Sequence, residues 1–382
     1  MIRFYSFQLT VMVCCVRLVA ADATDSSAIM SARKLVQADV APKVPGFEIA
    51  VAVDDKIVWS EAFGYADLAG NILVTPATRF RIGSASKTLT SIGLALLVER
   101  GLVDLDAPIQ KYVPDFPEKG AVITTRLLAG HLSGIRNYRG IEALSDRPFV
   151  DLHSGLRIFE DDPLETPPGT RFGYSSFNWN LIGVVMERTS KQEFLQYMEG
   201  NVIVPLGMRN TRPDRTGVAD SMRAQFYEVD ANGSFVIAPM VDSSYKWPSG
   251  GYLSTAEDMA RCGSAVLKPG FLKSESLQFL FISQRTNSGK ITHYGAGWFV
   301  GRTILYHGGD SVGGTSVLLL RPSSKTVVAI AANRGHLTIG RASNSFSPAN
   351  AADHYSSEML VKEAHKIALM FAQDNGNSPS QE

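Results

Sequence analysis

Three serines in the chain are followed three residues later by a lysine: Ser31 and Lys34, Ser84 and Lys87, Ser243 and Lys246. A serine becomes an acylating nucleophile when a base takes its proton, and a lysine can be that base only when its own pKa is pushed down. On a helix this spacing puts the two side chains on one face, within reach of each other. The surroundings separate the three pairs. "RFRIG" ahead of Ser84 has the pattern of a short strand, and Leu89, Ile92, Leu96 and Leu97 fit a helix from Ala85 to Arg100 closed by Gly101. Ser84 thus falls at a helix N-terminus, where free N–H groups and positive potential favour an uncharged lysine and a developing oxyanion. Ser31 lies inside an amphipathic helix and Ser243 opens a loop running into Trp247-Pro248; both pairs read as incidental. A helix cap at Ser84 with a solvated Lys87 fits the same spacing, so the pair alone leaves two readings open.

Two later stretches offer further groups. Tyr174, in "FGYSSFNWN", follows Pro167-Pro168-Gly169-Thr170 and precedes a helix, and its hydroxyl could relay protons between the serine and a leaving group. A buried core tyrosine is the competing reading. His307 ends a strand in "TILYHGGDSVGGTSVLLL", before Gly308 and Gly309 and a second pair at Gly313-Gly314. Glycines there allow close backbone approach by a ligand, an exposed edge could pair with an extended substrate, and Asp310 N–H could join Ser84 N–H in an oxyanion hole. A hairpin with a capping histidine fits the same residues.

The elements that must position these groups follow from periodicity. A helix is expected over Ser26 to Val40, stopping before Pro42, then a hairpin in "GFEIAVAVDDKIVWSEAFGYAD" turning at Asp54-Asp55-Lys56. Between Leu102 and about Trp247 no convincing β run occurs, only Pro- and Gly-rich loops and helical pieces such as "NWNLIGVVMERTS". A helix from Ala256 to Leu267, strands in "GAGWFV", "TILYH", "TSVLLLR" and "TVVAIAAN", and a helix across Ala351 to Ala372 complete the reading. The fold class expected is α+β: an antiparallel sheet flanked by terminal helices, with an inserted helical lobe and a cleft where the two parts meet. The α/β part would take about 24–83 and 250–373 of a single domain spanning 24–373, the helical lobe about 84–249, and a polar tail 374–382.

"SASK", "YSS" and "HGG", in this order and spacing, resemble the three motifs of serine β-lactamases and penicillin-binding proteins: Ser-x-x-Lys, Tyr-x-Asn and Lys/His-x-Gly. "FPEKG", "TTRLLAGHLSGIRNY", "VDSSYKWPSGGYLST" and "HGGDSVGGTSVLLL" are similar to the class C β-lactamase-related branch, which takes in esterases, D-amino-acid-specific peptidases and mitochondrial β-lactamase-like proteins of animals. The likeness runs from about Pro45 to Asn333. It implies that Ser84 attacks a carbonyl with Lys87 as base, that Tyr174 shuttles the proton, and that His307 takes the place of the third-motif lysine. It implies an oxyanion hole from the N–H groups of Ser84 and Asp310, with Ser176, Gly308 and Gly309 on the substrate. "GHLSGI", with His131 and Ser133, matches a stretch taken as structural. Ser176 departs from the pattern: it stands where the β-lactamase asparagine holds the substrate's amide side chain, which favours ester or peptide substrates over penicillins. The alternatives are a non-catalytic or filament-forming scaffold or peptidoglycan sensor of the same fold, and a true class C-like β-lactamase.

Composition limits the partners. The 382 residues are 45% hydrophobic and carry 37 basic and 37 acidic side chains, so no net field attracts nucleic acid and a small-molecule or peptide substrate is expected; a homo-oligomer is compatible with the sequence. The seven histidines, at 131, 153, 293, 307, 336, 354 and 365, form no His-x-His or His-Glu-x-x-His, so neither metal nor cofactor is implied. No phosphate-cradling Gly-x-x-x-x-Gly-Lys occurs. Residues 1–23 carry Arg3, an apolar run from Leu9 to Val16 and small residues at Ala20, Ala21 and Ala23, the layout of a secretory signal peptide for a secreted or periplasmic protein. Arg17 and the absence of an acid before Asp22 keep a mitochondrial presequence as the alternative. Loss of Cys14 and Cys15 with such a leader would leave Cys262 alone, a small buried hydrophobe by default.

Overall fold

Ser26 caps the first helix, its hydroxyl accepting from Ile29 N at 3.3 Å, and the helix runs Ser27–Asp39 until the 3₁₀ turn Ala41–Lys43 that contains Pro42. The computed structural model describes residues 26–339, 346–348 and 355–374. The expected leader, with Cys14 and Cys15, and all of the expected tail except Asp374 lie outside the described residues.

Strands Gly46–Val53 and Lys56–Asp67 pair antiparallel. Their connection holds Asp54 and Asp55 at φ 48° and 66°, the left-handed pair a two-residue hairpin needs and which aspartate tolerates. The main sheet has seven strands, in the order Ile72–Leu73, Lys56–Asp67, Gly46–Val53, Thr326–Ala332, Gly314–Arg321, Leu305–Ser311, Phe299–Val300. Every neighbouring pair is antiparallel, and Ile49, Ile330 and Val317 lie side by side across the three central strands. The N-terminal hairpin and the C-terminal strands thus form two blocks of one sheet, joined where Gly46–Val53 pairs with Thr326–Ala332.

Alternation along the strands sends side chains to two faces. Ile49, Val51, Val317, Leu319, Val328 and Ile330 pack with the terminal helices Ser27–Asp39 and Ser357–Asp374. Ala50, Ala52, Leu318, Leu320, Val327 and Ala329 join the larger core with the helix Ala256–Leu267. Each fully buried branched aliphatic contributes about 1.5–3 kcal/mol. Gly263 lets that helix approach closely, since a Cβ there would stand 2.7 Å from Val327 Cγ1. Its neighbour Cys262 is fully buried with its thiol pushed up to about 12 by burial, which leaves it a packing residue.

The α+β arrangement expected from the sequence is present, but the middle of the chain is not devoid of strands. Tyr227–Asp230 pairs parallel with Arg334–Ile339 and antiparallel with Phe235–Ile237, in a four-stranded sheet completed by Phe346–Pro348. Tyr252–Ser254 lies between Phe80–Arg81 and Arg212–Pro213 in a three-stranded sheet. These runs of two to six residues are too short to show a clear alternation of their own, and most gain a partner remote in sequence. Glu228 shows this: it is buried inside a strand, and its Oε1 accepts from Gly313 N at 2.7 Å. Within "GAGWFV" only Phe299–Val300 is extended, because Gly297 sits at φ 81° where a Cβ would stand 2.9 Å from Lys87 O. The last helix begins at Ser357, and Ala351–His354 lie outside the described residues.

Candidate active site

Ser84 lies in a 3₁₀ turn, Gly83–Ala85, that leads from the strand Phe80–Arg81 into the helix Ser86–Glu99. The helix N-cap is Ala85, which makes no side-chain cap bond. Ser84 is therefore not a cap, and it is the one partly exposed residue in the buried stretch from Arg81 to Thr90. The strand Leu305–Ser311 presses against this turn. Gly83 adopts φ 49°, and a Cβ on it would stand 2.8 Å from Asp310 O; a Cβ on Gly309 would stand 1.9 Å from Ile82 O. Ser316 Oγ donates to Ile82 O at 2.8 Å and ties the turn to the next strand.

Lys87 Nζ is 3.0 Å from Ser84 Oγ and 3.3 Å from Ser176 Oγ, and it donates to the Ser249 carbonyl at 2.6 Å. The side chain is wholly buried, and burial alone pushes its pKa well below the ordinary lysine value. Burial thus disfavours the charged form of a lysine that stands within hydrogen-bond reach of the serine, the condition for it to take the serine's proton.

Tyr174 stacks beside this pair, with Lys87 Nζ 5.1 Å from its ring centroid. Burial drives its phenol far above the ordinary range, and a hydrogen bond with the Ser84 hydroxyl pulls it part of the way back. His131 sits behind it, ring to ring at 4.3 Å, and its Nδ1 accepts from Ser175 N at 3.1 Å. Ser133 Oγ meets Asn178 Oδ1 at 2.7 Å. "GHLSGI" thus fixes the loop that presents Tyr174 and Ser176.

His307 is buried in the middle of its strand rather than at its end. Its Nδ1 is 2.6 Å from Gly308 O and its Nε2 3.1 Å from Tyr294 OH, so Nδ1 carries the proton and Nε2 accepts. Burial, assisted by Lys87, lowers its pKa to about 3, and it lines the site as a neutral imidazole, without the charge of a third-motif lysine. Gly308 faces the cavity but abuts Ser357, where a Cβ would meet Oγ at 2.7 Å. The close approach at Gly309 is made by the chain's own backbone at Ile82 rather than by a ligand. Phe299–Val300 covers only Leu305 and Tyr306 of this strand, so the edge from His307 to Ser311 has no strand beyond it among the described residues. Asp310 accepts from Ser357 N at 2.9 Å and Ser357 Oγ at 2.5 Å, clasping the start of the C-terminal helix.

Ser84, Tyr174, Ser176, His307, Gly308 and Asp310 share one cavity of about 570 Å³, the size of a small-molecule site. Clefts of about 590 and 670 Å³ elsewhere are lined by none of Ser84, Tyr174, Ser176 and His307. Sequence reading missed Asn137, whose Oδ1 accepts from Ser176 N at 3.0 Å and which brings an amide to the cavity wall, and Lys246, which lines the same wall. "RNY" carried no signal for the first. The second had one, the third Ser-x-x-Lys pair. Ser31 stays on an exposed helix face.

Fold and site together define the class: the chain belongs to the beta-lactamase family, whose profile matches residues 32–349. It is similar to the mouse "Serine beta-lactamase-like protein LACTB, mitochondrial", 31% identical across 73% of this chain and 69% of that protein. A penicillin-binding protein from Bacillus halodurans superposes with a TM-score of 0.69 at 25% identity, covering 80% of this chain and 94% of that one. A D-amino acid amidase from Ochrobactrum anthropi, complexed with D-phenylalanine, superposes at 0.72 and 21% identity over 90% and 99% of the two chains, a likeness of fold. Family membership carries serine hydrolase-type function in general. No helix among the described residues is long and apolar enough to cross a membrane.

Proposed function

We propose that the protein is a serine hydrolase that forms an acyl-enzyme on Ser84 and acts on ester, amide or peptide carbonyls in preference to penicillins. The observation that carries this reading is the 3.0 Å approach of Ser84 Oγ to a wholly buried lysine whose charged form burial disfavours. Neutral Lys87 takes the hydroxyl proton as Oγ bonds to the carbonyl carbon, and the N–H groups of Ser84 and Asp310 receive the oxyanion. Tyr174 passes a proton to the leaving oxygen or nitrogen as that bond breaks. Water then attacks the acyl-serine, its proton returning through Tyr174 and Lys87, and the acid leaves with Ser84 restored. Ser176, 3.3 Å from Lys87, offers a hydroxyl where β-lactam chemistry uses an amide, and this favours simple esters and peptides. The layout of residues 1–23 and the mitochondrial relative support a site of action outside the cytosol, which N-terminal sequencing of the mature protein checks.

A fluorophosphonate probe tests the nucleophile: wild type takes up one label and Ser84→Ala none. Equal labelling of the two would favour a scaffold. Intact-mass spectra after incubation with p-nitrophenyl esters, D-alanyl peptides and β-lactams identify the acyl donor by its adduct. Nitrocefin turnover is expected below a kcat/KM of about 10⁴ M⁻¹s⁻¹, and a higher value restores the β-lactamase reading.

A further inference from the structure

The cavity contains a second lysine that the acylation chemistry does not use. Lys246 is 7% exposed and lines the same cavity as Ser84 and Tyr174. Among the described residues its ammonium has no hydrogen-bond acceptor and no carboxylate at ion-pair distance; it has the face of Tyr245, 5.7 Å from Nζ to the ring centroid. The acids whose charge reaches it are engaged elsewhere. Asp214 holds Arg81 at 2.7 Å and Arg223 at 3.1 Å, and Asp242 accepts from Ser244 N at 2.8 Å. The Lys246 backbone is fixed by the site itself: its carbonyl accepts from Ser249 N at 3.0 Å and Gly250 N at 2.8 Å, in the turn that presents Ser249 O to Lys87.

A buried cation without a partner is costly, and the cost falls when an anion arrives. We propose that Lys246 is a substrate-binding residue that holds a carboxylate of the substrate, so that the acyl donors of this enzyme are carboxylate-bearing esters or peptides. This rests on the hydrolase reading above. A monoanion suits the site better than a phosphate, because the cavity also presents the carboxylates of Asp310 and Glu358, which a dianion would meet with one lysine to offset it. Burial and the neighbouring Arg81 lower the ammonium to about 8, which leaves it mostly charged at neutral pH. The carboxylate can belong to the acyl part or to the leaving group, as in the C-terminus of a peptide.

Matched esters separate the two sources. 4-Nitrophenyl butyrate against mono(4-nitrophenyl) glutarate places the charge on the acyl part; phenyl acetate against 3-acetoxybenzoate places it on the leaving group. In one pair the charged ester, corrected for spontaneous hydrolysis, is expected to lead by roughly 10–100-fold in kcat/KM, carried by KM, as befits a charge-assisted hydrogen bond. Lys246→Met should bring that ratio to near one, and Lys246→Arg should retain most of it; Lys246→Gln replaces the methionine variant if that does not fold. Wild-type ratios near one in both pairs, or a ratio that Lys246→Met leaves unchanged, overturn the carboxylate site while the hydrolase stands. If wild type hydrolyses none of the four esters, the hydrolase reading fails instead, and calorimetric titration with the two charged esters decides the site. Binding that Lys246→Met abolishes supports it, and absence of binding to wild type overturns it.

Discussion

At the scale of single residues the site turns on which groups hold protons. Below the lowered pKa of Lys87 the lysine is an ammonium and cannot accept the serine proton; above it the lone pair is free. Ester hydrolysis is therefore expected to rise with pH through that pKa and then level. Lys87→Arg keeps a long basic side chain but holds its proton at every accessible pH, and should lose about 10²–10⁴-fold in kcat with no recovery at alkaline pH. A variant that recovered above pH 9 would remove Lys87 from the role of base. Ser84, Lys87 and Tyr174 were legible in the sequence because local features marked them: a junction of strand and helix, and a tyrosine at the entry of another helix. Asn137 was not, since it reaches the cavity through a loop whose path no periodicity encodes. Lys246 carried the right spacing in a loop, and what brings it to the cavity is the turn Lys246 to Gly250 that presents Ser249 O to Lys87, a path no periodicity encodes.

At the scale of elements the strand Leu305–Ser311 and the turn Gly83–Ala85 form one rigid unit. Gly309→Ala would drive a methyl into Ile82 O and push strand and turn apart. A loss of about 1–3 kcal/mol in urea denaturation is expected for such overpacking. Activity should fall further than stability predicts, by up to about 10²-fold, because a displacement near 1 Å at the reacting atoms costs that much. Full activity in a folded Gly309→Ala protein would mean that the strand does not set the geometry of the serine. The long strands of the main sheet and the helix Ala256–Leu267 were readable from their own runs of apolar residues. Tyr227–Asp230 was not: half of its residues are acidic, and it lies between a short local partner, Phe235–Ile237, and Arg334–Ile339, more than a hundred positions away.

At the scale of the whole molecule, His131 and His307 are buried as neutral rings, His307 with a pKa lowered to about 3 and His131 also well below the ordinary value. An unfolded chain binds protons that these rings refuse, so their contribution to stability is intact above about pH 6.5 and is lost as pH falls toward the folded pKa values, by up to about 1.4 kcal/mol per pH unit for each ring. The urea midpoint should drop between pH 7 and pH 5, and the drop should be smaller in His307→Asn; equal drops in the two proteins would count against this account. The joining of the chain's two ends in one sheet bears on the order of synthesis. The strand Gly46–Val53 is buried along its whole length, yet its neighbour Thr326–Ala332 leaves the ribosome only after nearly all of the intervening chain. At roughly 5–20 residues per second an apolar hairpin waits on the order of tens of seconds for its cover, which makes the nascent chain a natural client of chaperones and ties the birth of the active site to the end of translation.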